Sequence, residues 1–165
     1  MRILMLLLPL LFAPIGAHGE YVRVDRIDVV KKGIYVIETG KETPDANTPT
    51  GKIMAVTTVK NIESTSTIPA RLGLEFGFQY VVVGEPSDAN VSLDIVTIYP
   101  SQGLRDPSSQ QPVHKSKYQR TKKIGDTVYL GYGFENAWEA EPGTWTFQIW
   151  YENRKMVDQS FSVVK

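Results

Sequence analysis

The chain has no cysteine. Disulfides, thiol nucleophiles and cysteine-bound metals or clusters are therefore excluded. Histidine is nearly as scarce, with two in 165 residues. His18 lies in the N-terminal segment, so His114 alone is left to the body of the chain, and a histidine-built zinc site is excluded too. Neither sign of charge is in excess, since 18 Lys and Arg balance 18 Asp and Glu. That removes the electrostatic case for nucleic acid as the main partner. No phosphate-cradling glycine motif and no Gly-x-Ser-x-Gly elbow occurs. Long apolar runs are absent beyond the first residues, and leucine is sparse there too.

The exception is the start, MRILMLLLPLLFAPIGAHG. Arg2 supplies a short basic region, Ile3 to Ala13 an apolar core, and Ala17-His18-Gly19 small residues at the positions a signal peptidase reads. Residues 1–19 are read as a signal peptide cleaved before Glu20, leaving residues 20–165 as one domain. The apolar run is short of the ~20 residues a span requires. No further apolar segment follows, so the expected product has no membrane span after cleavage and is periplasmic or secreted.

What remains is rich in β-branched residues, with 17 Val, 10 Ile and 13 Thr against 5 Leu from residue 20 onward. Such side chains suit a pleated surface and lose rotamer freedom in helices. Alternation with period two recurs. In residues 71–83, Leu72, Leu74, Phe76, Phe78, Tyr80 and Val82 fall on one face, with Arg71, Gly73, Glu75, Gly77 and Gln79 on the other. Val91, Leu93 and Ile95 alternate likewise, as do Val128, Leu130, Tyr132 and Phe134, then Trp145, Phe147 and Ile149, and finally Val157, Phe161 and Val163. Less regular strands are expected near 21–30, 33–39 and 51–61, with an apolar phase shift between Val24 and Ile27 that predicts a bulge. Loops are expected at Lys41–Thr50 and Ser101–Pro112, a hairpin tip at Glu152-Asn153-Arg154, and a helical turn within Phe134–Glu141. About eight turn-connected strands predict an all-β, antiparallel two-sheet sandwich of immunoglobulin-like type without a disulfide. Ten of the 17 aromatics lie between Tyr118 and Phe161, which places the dense part of the core there.

Several segments together carry a resemblance: Ile68-Pro69-Ala70 leading into Phe76-Gly77 and Tyr80, Trp138, Pro142-Gly143-Thr144-Trp145-Thr146-Phe147-Gln148-Ile149-Trp150-Tyr151, Arg154-Lys155-Met156 and Gln159 to Val163. In these the chain resembles the bacterial family called domain of unknown function 3859, from about Val24 to the end. The resemblance implies an extracytoplasmic sandwich and carries no catalytic residue. Where that family leads one to expect glycine in the final hairpin, Arg154 follows Asn153 directly, so Asn153 must take positive φ or the loop must be longer.

Candidate sites are few. His114 beside a proline-containing loop reads as an exposed histidine, and the scattered carboxylates form no facing pair of the kind a glycosidase uses. No catalytic residue, metal site or cofactor is expected, and the chain is read as a non-enzyme. The segment His114–Lys123 carries Lys115, Lys117, Arg120, Lys122 and Lys123, which suits either an anion patch or a lysine-guarded edge strand, with the second favoured. Trp150 has the parity of the polar strand face, and Gly73 and Gly77 leave a bare strip beside Glu75. Trp150, Gly73, Gly77, Lys115 and Lys117 are therefore the candidate partner-binding residues, with the alternative that Trp150 covers the glycines. The functional expectation is a non-catalytic binding module for another envelope component, of protein in the first instance. The alternative is carbohydrate binding through an exposed Trp150.

Overall fold

The computed structural model describes residues 21–165, and the expected signal peptide lies outside the described residues. Among the described residues nine strands form two sheets. They are β1 (Arg23–Pro44), β2 (Lys52–Glu63), β3 (Thr67–Pro69), β4 (Glu75–Glu85), β5 (Asn90–Ile98), β6 (Lys115–Lys123), β7 (Thr127–Gly133), β8 (Gly143–Tyr151) and β9 (Arg154–Val164). A four-stranded sheet runs β2-β1-β4-β7 and a five-stranded sheet β3-β9-β8-β5-β6. All pairings are antiparallel except β3 with β9. Among the described residues no helix is long and apolar enough to cross a membrane.

The alternating faces meet between the sheets. Phe76, Phe78, Tyr80 and Val82 of β4 are buried against Leu93, Ile95, Trp145, Phe147, Ile149 and Phe161 of the other sheet. Phe76 is the cross-sheet wedge. Its ring stands edge-on to Trp145, Phe147 and Phe161, with centroids 5.6, 5.8 and 5.4 Å away. Each such pair adds roughly 0.5–1.5 kcal/mol beyond the area it buries. This aromatic centre joins the two sheets without a disulfide.

Several expectations need correction. Leu72 is 58% exposed, because β4 starts only at Glu75 and residues 72–73 form a turn with Gly73 at φ +77°. The two expected N-terminal strands are one, because β1 passes through Gly33 without a break. It also continues to Pro44, so the first loop shrinks to the residues before Lys52. Its register slips between Val24 and Arg26, where the apolar phase shift had placed a bulge. The final hairpin turns through Glu152 and Asn153 at φ +47° and +63°, the paired left-handed conformation that closes a two-residue hairpin without glycine. Phe134–Glu141 contains a single 3-10 turn, Ala137–Glu139.

Candidate functional site: a cleft between a β ribbon and two sheet edges

The length of β1 creates the site. Its first half pairs with β4 up to Tyr35↔Glu75, and its second half pairs with β2 alone. From Val36 onward β1 and β2 leave the sheet as a two-stranded ribbon. Three register shifts, at Ile34/Tyr35, Glu38/Thr39 and Thr39/Glu42, strengthen its twist. Lys52 holds the ribbon to the sandwich, with Nζ 3.2 Å from both Glu42 on the ribbon and Glu135 just past β7. Between the ribbon and the adjacent edges of β6 and β7 lies a cleft of about 1190 Å³. Every residue from Asp126 to Glu135 lines it, and so do six of the eight tyrosines.

One part of the cleft lies on the outer face of the four-stranded sheet. Glu75 and Gly77 of β4 stand opposite Gly133 and Gly131 of β7. The Tyr129 phenol lies over Gly131, where a Cβ would strike its hydroxyl, and a Cβ on Gly133 would strike the Glu75 carboxylate. These two glycines thus leave room for one hydrogen-bonded pair, in which the Tyr129 hydroxyl donates to Glu75 Oε1 at 2.9 Å. The Tyr35 ring packs on Tyr129 with centroids 4.8 Å apart and gives its hydroxyl to the Lys31 carbonyl at 2.8 Å. Burial pushes the Glu75 carboxyl up to about 7; the Tyr129 hydrogen bond opposes this and the nearby Glu135 charge adds to it.

The other part opens between the sheets. Tyr99 and Ser116 share a 2.9 Å hydrogen bond, and Tyr132 donates to Glu139 at 2.8 Å. Glu139 is fully buried yet satisfied, because Asn136 also donates its backbone and side-chain N–H groups to Oε1 at 2.9 and 2.6 Å. Arg120 lies 4.7 Å from the Tyr118 ring centroid, on the face of β6 shared with Lys122. Burial raises the Tyr80, Tyr99, Tyr118 and Tyr132 hydroxyls above their ordinary range, so they stay protonated and act as hydrogen-bonding groups. Among the described residues no group of three His, Asp or Glu side chains is placed to hold a metal ion.

The five candidate residues from the sequence are not brought together. Gly73 borders the cleft from its turn. Gly77 is buried, its missing side chain replaced by the close backbone of Leu130 and Gly131. Trp150 is in β8, on the outer face of the opposite sheet, so it cannot cover Gly77; Tyr129 and Tyr35 lie on that side of the molecule instead. Trp150 is half-buried, donates its indole N–H to Gln148 at 3.0 Å, and has Lys155 Nζ 6.0 Å from its ring. Lys115 and Lys117 point outward from β6, an edge strand, and Lys117 pairs with Asp94 at 2.9 Å. The sequence reading missed Glu75, Tyr129 and Tyr35. Its one available signal was the second bare strip, Gly131 and Gly133, sharing parity with Tyr129.

The sheets, their order and the aromatic centre define an immunoglobulin-like β-sandwich. The chain belongs to the domain of unknown function family DUF3859, which it matches over residues 23–163. It is similar to an immunoglobulin-like protein from Pseudomonas aeruginosa, with 24% identity and a TM-score of 0.56, covering 90% of this chain and 100% of that one. A β-glucosidase from Listeria innocua shares 9% identity at a TM-score of 0.35, covering 81% of this chain and 16% of the glucosidase. No curated protein matches the chain.

Proposed function

We propose that this protein is a non-catalytic, extracytoplasmic binding module, and that the cleft between the ribbon and the β6 and β7 edges receives another component of the cell envelope. The carrying observation is the ribbon itself. A two-stranded ribbon is marginal in water unless something packs on it, and this one stands off the sandwich over about 1190 Å³ of space. Ile53 and Met54 on the lining are half-buried, and Val56 beside them is exposed. An occupant covering these side chains gains the apolar area they now leave in water. Aromatic and hydrogen-bonding groups on the opposite wall supply the mixed lining typical of ligand sites. The Glu75 carboxyl is engaged by the Tyr129 hydroxyl, an arrangement that suits recognition.

The test is photo-crosslinking in envelope extract, with a benzophenone amino acid placed at Met54 or Thr57 in the cleft and at exposed Val30, which does not line it, as control. Cross-linked product confined to the cleft positions supports the reading. Equal labelling at Val30, or none at either cleft position, overturns it.

A further inference from the structure

We propose that β7 is an acceptor edge. An extended segment of a partner polypeptide adds to it as an antiparallel strand, with a basic residue leading and an acidic residue or C-terminal carboxylate trailing. The inference rests on the cleft being the binding site and names what that site takes.

The four sheet edges are treated differently by the sequence. β6 carries five basic residues in nine, KSKYQRTKK. β3 is three residues long and ends in Pro69. β2 carries Lys52, Lys60 and Glu63 toward its ends, with residues 53–59 uncharged between them. Short length, proline and charge are the usual devices that keep an edge from pairing with another chain. β7 reads TVYLGYG and has none of them. Among the described residues it pairs with β4 alone, and its full length faces the cleft. Its free row of N–H and C=O groups thus opens into a space bounded by the ribbon, which excludes a broad sheet and admits a single strand. Strand addition of this kind draws affinity from the main chain and specificity from alternate side chains.

Charge sets the direction. β7 begins four residues after Lys123, where Arg120, Lys122 and Lys123 line the cleft with Asp126 as the single acid at that end. It ends beside Glu135, with Glu75 in register at Gly133, and there Lys52 is shared between Glu42 and Glu135. A strand antiparallel to β7 starts at the acidic end and finishes at the basic end. Its leading residue is matched by the Glu135 carboxylate, with the Glu75 carboxyl beside it as a hydrogen-bonding group, and its trailing residue by Arg120 and Lys122. Side chains on one face of the added strand meet Met54 and Val56, which share one face of the ribbon, so alternate apolar positions are expected.

The test is selection of phage-displayed random peptides of about nine residues, slightly longer than β7, on the purified chain. The best binders are then measured by fluorescence anisotropy. Enriched peptides should alternate apolar and polar residues and carry a basic residue before an acidic one. N-methylation of alternate backbone nitrogens should weaken binding by about tenfold in one register and leave it unchanged in the other. Arg120→Glu with Lys122→Glu should weaken acid-trailing peptides by about tenfold, and a lysine at the trailing position should restore them. The peptide arm needs no variant, so a poorly folded double variant does not shield the proposal. No enrichment, enrichment without alternation, or equal sensitivity in both methylation registers overturns it. So does a stable dimer in sedimentation that pairs β7 with a second copy of the chain. A glycan or other non-peptide cross-linked at Met54 overturns strand addition and leaves the binding-module reading standing.

Discussion

Tyr129 donates its hydroxyl to Glu75 across the β4–β7 pairing, at 2.9 Å and over two glycines that leave them space. The pair ties the floor of the cleft to a protonation equilibrium near neutrality. An unfolded Glu75 ionises near 4.5, and the folded one near 7. Between these values the folded state keeps a proton that the unfolded state has released. The stabilisation is therefore complete below about 4.5 and is lost as pH rises through about 7. Glu75→Gln should flatten that slope and leave the variant more stable than the parent at pH 8, by on the order of 1–2 kcal/mol for a half-buried side chain. Urea denaturation from pH 4.5 to 8.5 measures it. An unchanged slope in the variant would assign the pH dependence elsewhere.

Two substitutions two residues apart should separate the turn from the strand. Leu74→Asp puts a charge into the core beside Phe76, costing several kcal/mol. Leu72→Asp alters an exposed side chain and should stay within ~0.5 kcal/mol. Comparable losses in chemical denaturation would mean that residue 72 is covered.

Gly77→Ala and Gly73→Ala test two different reasons for glycine. At Gly77 a Cβ meets the Leu130 carbonyl oxygen and the Gly131 Cα, backbone that cannot swing aside. The β4–β7 pairing should weaken enough to lower the melting temperature sharply. At Gly73 the space is open and the cost is the positive φ, about 1–2 kcal/mol. Thermal unfolding of both variants checks the order.

The tryptophans should divide in the same way. Trp145 is fully buried, packs on Phe76, Tyr99, Tyr132 and Phe134, and gives its N–H to the Glu141 carbonyl at 3.0 Å. Trp145→Ala should cost about 3–5 kcal/mol. Trp150→Ala, on the outer face, should cost about 1 kcal/mol. Melting curves of the two variants that coincide would contradict the placement of these rings.

Lys52→Ala removes the ion pairs that tie the ribbon to Glu135. An exposed pair of this kind is worth ~0–1 kcal/mol, so global stability should hardly change. Amide exchange within Val36–Thr57 should nevertheless quicken, with β4 and β8 unaffected, because the ribbon opens as a local unit. Exchange quickening equally in β8 would show that the ribbon is part of the cooperative core.

The alternating stretches determined which faces are buried. Phe76, Phe78 and Tyr80, or Trp145, Phe147 and Ile149, can hide together only as strands with one inward face, and the residue types alone require it. The same local chemistry determined the Val24 phase shift and the positive φ of Asn153. Strand neighbours were decided by the tertiary structure. Period two gives a side chain's face and says nothing of which sheet that face belongs to, so Trp150 and Gly77 shared a parity and landed on opposite outer surfaces. The continuity of β1 was likewise hidden, because Lys41 to Pro44 has a loop's composition and is held extended by pairing with Lys52 to Met54. The cleft follows from that pairing. Glu75, Tyr129 and Tyr35 come from three strands, and their meeting depends on long-range register, which no local pattern encodes.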